Sequence, residues 1–111
     1  MNPGGASRLR LYMNDDDRFQ GKPLYEAVVT KARAMGLAGA SVFKAEMGYG
    51  GHRVVHDTMS EYSFLGSPVV VEVVDDAGRV GDLLAELKAM VGEGLVTVSA
   101  VQVARYVHPS G

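Results

Sequence analysis

His52 and His56 stand four residues apart, with Asp57 directly after them. On a helix this spacing places two imidazoles on one face, the arrangement of a metal site. Gly48, Gly50 and Gly51 lie close by, and glycines oppose a stable helix. The pair therefore reads first as loop histidines, with a metal site on His52 and His56 as the alternative. The run Gly48-Tyr49-Gly50-Gly51 can adopt positive φ and bring free N–H groups up to an anion. A sharp turn explains the run equally well. Arg53 is the only lysine or arginine between Met47 and Ser67, against Asp57 and Glu61. An anion there would have to draw charge from Lys44, Arg79 or a neighbouring subunit.

Catalytic chemistry finds little support. Ser60, Ser63 and Ser67 lie near the histidines, yet no Ser-His-Asp arrangement can be assembled, and His108 in the tail joins no cluster. The chain has no cysteine, which excludes disulfides, thiolate metal ligands and thiol nucleophiles. Glu72 sits in an apolar run, where a salt bridge to Arg8, Arg10 or Arg105 is the favoured partner and would set the register of an assembly. Asp15-Asp16-Asp17 are consecutive, do not converge on a cation, and read as a solvated turn. The expectation is that the protein is not an enzyme; a general base at His56 is the reading that expectation sets aside.

The elements that must position these residues follow from periodicity. Ser7 to Asn14 alternates, with Leu9, Leu11 and Met13 on one side and Arg8, Arg10 and Tyr12 on the other, the period of a half-buried strand. Asp15 to Gly21 is a polar turn. Pro23 suits a first helical residue, and Leu24, Ala27, Val28, Lys31, Ala32 and Met35 follow at helical spacing until Gly36. Ala40 to Glu46 reads as a second strand, with Val42 and Phe43 on opposite faces. Residues 47–67 have no period, an unusual length of connection that is generally functional or disordered. Pro68 to Asp75 is a third strand, Asp76-Ala77-Gly78 a turn, and Val80, Leu83, Leu84, Leu87 and Val91 a second helical stripe closed by Gly92-Glu93-Gly94. Leu95 to Val107 is a last strand, its apolar phase changing midway as at a bulge.

The order β-α-β-β-α-β predicts an α+β, ferredoxin-like domain over residues 7–107, an antiparallel sheet with both helices on one face, and flexible tails at 1–6 and 108–111. Val69, Val71 and Val73 alternate with Val70 and Val74, so whichever set meets the helices, the other leaves an apolar open face. A partner sheet, and hence a homo-oligomer, is the expected remedy. Eleven basic and thirteen acidic residues give a net charge of −2, which argues against nucleic acid as a partner. No run approaches the roughly 20 apolar residues of a membrane span, and the N-terminus lacks a signal pattern. A cytoplasmic protein is expected.

Four blocks add a resemblance: Lys22-Pro23-Leu24-Tyr25-Glu26-Ala27; Gly36-Leu37-Ala38-Gly39-Ala40-Ser41-Val42; Gly48-Tyr49-Gly50 with His56; and Pro68-Val69-Val70-Val71-Glu72-Val73-Val74-Asp75. In that order, from Leu9 to Tyr106, the chain resembles the domain-of-unknown-function one-ninety family, small bacterial and archaeal proteins similar to PII signalling proteins. The resemblance implies a homotrimer with a small-molecule effector, an adenine nucleotide being the first candidate, in clefts between subunits. It implies Lys44, Gly48, Tyr49 and Gly50 at the base of a long switch loop, and Gly92, Glu93 and Gly94 as a shortened glycine-rich turn lining the same cleft. Lys44-Ala45 departs from the family's basic residue followed by glycine. A membrane transport or channel protein is the partner the resemblance suggests; the runner-up function is metal handling of the copper-tolerance type through the loop histidines. Neither the residues nor the resemblance identifies a cofactor.

Overall fold

A computed structural model describes residues 5–45, 47–48, 56–57, 67–92 and 94–105. The chain begins with strand β1 (Ala6–Asn14) and a small hairpin of β2 (Arg18–Phe19) and β3 (Lys22–Pro23). Helix α1 (Leu24–Ala34), β4 (Ala40–Lys44), and a two-stranded ribbon of β5 (Met47–Gly48) and β6 (His56–Asp57) follow. Then come β7 (Pro68–Asp76), α2 (Ala77–Met90) and β8 (Leu95–Val101). The main sheet has the order β4-β7-β1-β8, with every neighbouring pair antiparallel. This is the ferredoxin-like arrangement the periodicity predicts.

Odd-numbered residues of the two central strands, Leu9, Leu11 and Met13 with Val69, Val71 and Val73, face the helices. Leu24, Val28 and Ala32 of α1 and Val80, Leu83 and Leu87 of α2 close over them. Each fully buried leucine or valine here contributes about 1.5–3 kcal/mol relative to exposure. Lys31 breaks the apolar stripe of α1 without disturbing it, because its Nζ lies 3.6 Å from Glu86 Oε2 on α2.

Helix ends are satisfied locally. Pro23 stands one position earlier than expected, at the N-cap, and the N–H of Leu24 donates to the Asp17 carbonyl at 2.7 Å. At the other end Gly36 adopts φ +81°, its N–H donates to Arg33 and that of Leu37 to Ala32. This is the paired bonding that glycine permits at a helix stop. The expected turn at Asp76-Ala77-Gly78 does not exist: β7 ends at Asp76 and α2 starts at Ala77. The carboxylate of Asp75, 3% exposed, makes the junction possible by accepting the N–H groups of Asp76 (2.7 Å) and Ala38 (2.8 Å).

Three other boundaries shift. The second strand stops at Lys44 and the last at Val101, and β8 pairs with β1 in unbroken register from Leu95 to Val101, so the phase change after Val98 is not a bulge. Residues 102–105 continue irregularly, and Tyr106 and Val107 lie outside the described residues. The polar turn after β1 contains the β2–β3 hairpin, whose tip places both Gln20 (φ +51°) and Gly21 (φ +81°) in the left-handed region. Among the described residues no helix is long and apolar enough to cross a membrane.

Candidate functional site

The connection between β4 and β7 leaves and rejoins the sheet at one point. The N–H of Ala45 donates to the Pro68 carbonyl at 2.9 Å, and β4 pairs with β7 up to Lys44↔Val69. On the other side Asp15 and Ser67 bond reciprocally. The Asp15 N–H donates to the Ser67 carbonyl, and the Ser67 N–H donates to Asp15 Oδ1, both at 2.9 Å. Asp17 Oδ2 meanwhile accepts the Asn14 N–H at 2.9 Å. The aspartate run is thus not a freely solvated turn: two of its carboxylates are spent on backbone amides, one of them holding the returning end of the long connection. Nothing in the spacing of Asp15 and Ser67, fifty-two residues apart, reveals that partnership.

The stretch without period contains the β5–β6 ribbon, whose pairs are Met47↔Asp57 and Gly48↔His56. Gly48, expected to meet an effector, therefore stands opposite His56, expected in the alternative to meet a metal. Tyr49, Gly50, His52 and Glu93 lie outside the described residues. Among the described residues no three acidic, histidine or cysteine side chains are placed to hold a metal ion.

Lys44 and Gly92 are both exposed. A methyl group built on Gly92 would meet no described residue within 4 Å. Gly94 is different: at φ +157°, its Cβ would press on the Tyr12 carbonyl oxygen at 3.1 Å and on Val91 at 3.4 Å. Glycine is needed there by the fold itself. Register places both groups at the same end of the sheet, since Lys44 pairs with Val69, Val69 with Met13, and Leu95 with Tyr12 next to Met13. They occupy opposite outer strands, however. Three strand spacings, about 14 Å, separate β4 from β8. Within one chain, Lys44 on β4 and Gly94 before β8 therefore stand apart.

Arg79 lends no charge to this end. Its Nη1 donates to the Gly36 carbonyl at 2.7 Å, at the stop of α1 and the start of α2. This is the far end of β7 from Pro68 and Val69.

The face of the sheet away from the helices has a layered composition. Register aligns Phe43, Val70, Tyr12 and Leu95 in one row across all four strands. Phe43 and Leu95 are 54% and 59% exposed. The next row is polar: Ser41, Glu72, Arg10 and Thr97. Arg10 Nε lies 2.8 Å from Glu72 Oε2, so the salt bridge expected for Glu72 forms across two adjacent strands of one chain. The Glu72 bond, with a smaller contribution from Tyr12, raises the Arg10 pKa above the ordinary guanidinium range. The third row holds Val74, Arg8 and Ser99.

Comparison with known proteins agrees with this architecture. A UPF0166 protein of Aquifex aeolicus is 37% identical over 97 residues, covering 86% of this chain and 90% of the relative. Among solved structures, CPII, a nitrogen regulatory PII-like protein from Thiomonas intermedia K12 bound to ADP, AMP and bicarbonate, superposes with a TM-score of 0.60 at 18% identity, over 90% of this chain and 89% of that one. The divalent ion tolerance protein CutA1 from Ehrlichia chaffeensis gives 0.63 at 9% identity, over 92% and 86%. At such identities the likeness establishes the fold, which this chain shares with PII-like proteins. The family model of DUF190, described as uncharacterized ACR, matches residues 6–103, and the chain belongs to that family.

Proposed function

We propose that the protein is a non-enzymatic, PII-like regulator whose homotrimer binds an adenine nucleotide between subunits. One observation supports this most directly. Lys44 ends one outer strand, β4, with Gly48 in the ribbon that follows it in the chain, and Gly92 and Gly94 lead into the other outer strand, β8, at the same end of the sheet. Groups on opposite outer strands come together when the β4 edge of one copy meets the β8 edge of the next, which is the geometry of a head-to-tail ring. Lys44 then supplies the charge that residues 47–67 lack, and the exposed turn at Gly92 lets backbone approach a phosphate. CPII, with the same fold, holds ADP and AMP. The open face, with its apolar row, supplies surface to bury in such an assembly.

Nucleotide binding favours one arrangement of residues 47–67 over others, and that arrangement signals to a partner protein, for which a membrane transporter or channel is the candidate. The second reading, divalent metal handling through His52 and His56, draws on the place of His56 opposite Gly48 and on the likeness to CutA1. The N-terminal and C-terminal residues outside 7–107 take no part in either reading.

A single experiment separates the two. Trypsin is added to the full-length chain alone, with ADP or ATP, and with zinc or copper. Arg53 offers the only site between Met47 and Ser67, so cleavage there gives fragments 1–53 and 54–111. Nucleotide is expected to slow this cut about tenfold, equivalent to about 1.4 kcal/mol of preference for the closed arrangement. Protection by metal and none by nucleotide replaces the first reading with the second. An unchanged rate with both refutes the switch.

A further inference from the structure

We propose that the open sheet face carries a second site, for a small inorganic oxyanion of the phosphate class, formed where the Arg8 side chains of neighbouring copies converge. The inference rests on the homotrimer proposed above but concerns a different place and ligand from the nucleotide cleft. Arg8 belongs to β1, an interior strand of the sheet, and lies between Val74 on β7 and Ser99 on β8. It therefore stands toward the middle of the face. Its Nε is sealed from solvent and has no acceptor among the described residues. Arg10, one row away, has taken Glu72. Among the described residues no carboxylate forms an ion pair with Arg8.

A guanidinium in this position tolerates one chain's exposure but not closure of the face. Covering the exposed Phe43, Tyr12 and Leu95 with the sheets of two other copies brings three Arg8 side chains into a space that is losing its water. Charges of like sign cannot be dried together without a counter-charge. An oxyanion on the axis answers all three at once, because it offers oxygens in several directions to planar N–H forks. Ser99, directly across from Arg8, adds a hydroxyl donor. Packed sheets stand about 10 Å apart, which leaves room for an ion the size of phosphate and not for a nucleotide. Asp76 is the protein's own rival for the role, since it lies in the adjacent row on the same face.

The test uses the full-length protein in chloride, phosphate, sulfate, bicarbonate or acetate at matched ionic strength, without nucleotide. Phosphate is expected to raise the unfolding midpoint by about 4 °C or more when well above its Kd. Calorimetric titration should give one phosphate per three chains, where cleft sites would give one per chain. Arg8→Met should remain trimeric in sedimentation and lose the response, while Arg8→Lys, which keeps the charge without the fork, should retain part of it. Any of these results overturns the inference: a trimer indifferent to phosphate; an Arg8→Met protein that responds as the wild type does; an Arg8→Lys protein doing so if Arg8→Met fails to fold; or an Asp76→Asn trimer that weakens in chloride and is indifferent to phosphate, which assigns the counter-charge to Asp76. Acetate matching phosphate would broaden the ligand from inorganic oxyanions to carboxylates and so refute the stated class. A monomer in sedimentation refutes the assembly, and this site with it, whereas a phosphate-indifferent trimer refutes this site alone.

Discussion

Gly92 and Gly94 are two residues apart and do opposite jobs. Replacing Gly94 by alanine forces a side chain into φ +157° and against the Tyr12 carbonyl. Such backbone strain costs about 1–3 kcal/mol, and urea unfolding should register that loss with or without ligand. Gly92→Ala should leave the same urea midpoint unchanged, because no described residue stands within 4 Å of the new methyl. The hairpin tip offers the reverse experiment. Gln20 holds φ +51° with no glycine or asparagine to ease it, so Gln20→Gly should raise stability by about 0.5–1 kcal/mol in the same assay. Arg10 provides a pH statement. Its pKa is raised in the fold, chiefly by the Glu72 hydrogen bond. The stability it contributes is therefore complete from neutral pH up to the ordinary guanidinium range and, on the alkaline side, is lost only as pH rises through its elevated value. No part of an alkaline transition below that range should vanish in Arg10→Met.

At the level of elements, β7 divides the sheet's two roles between alternate residues. Val71, fully buried, should cost about 2–3 kcal/mol as alanine, through lost transfer energy and the cavity left behind. Val70, on the open face between Phe43 and Tyr12, should as lysine leave the chain folded by circular dichroism and shift sedimentation toward monomer. The alternation of Val69 through Val74 in sequence announces that division, and the leucines of β1 and both helical stripes announce the layer that covers one side. Periodicity reports burial, so it finds what the core demands. It does not report side-chain bonds to distant backbone. Asp75 looks like a strand-ending residue until the fold brings Ala38 to it, and Asp15 looks like part of a solvated run until Ser67 arrives. The same blindness explains the misplaced turn at Asp76-Ala77-Gly78: glycine and aspartate signal a turn locally, and only the long-range grip of Asp75 removes the need for one. Of the candidate site, the glycines are visible as residue types, while the place of Lys44 and of the Gly92–Gly94 turn at opposite outer strands requires the sheet order.

For the whole molecule, separation of Lys44 from Gly92 makes a prediction about mixtures. Lys44→Glu and Gly92→Asp each place negative charge at one half of the proposed cleft, and each alone should abolish nucleotide binding. Refolded together in equal amounts, random trimers should recover about a quarter of wild-type sites, since a site needs an intact β4 end from one copy and an intact β8 end from its neighbour. Isothermal titration counts the sites. No recovery from a mixture shown to co-assemble would sink the shared cleft. The junction of β7 and α2 has a consequence of another kind. With no residue between Asp76 and Ala77 belonging to neither element, the chain has no slack there, and the Asp75 carboxylate holds the same point to the segment that follows α1. Lengthening the polypeptide by a single residue at that splice would rotate every later side chain of α2 by about 100° and turn Val80, Leu83 and Leu87 out of the core. Insertions and deletions in the lineage should therefore collect at the Gln20–Gly21 tip and between Lys44 and Ser67, and a circularly permuted or tag-bearing version of the protein should be opened at that tip and never at the splice.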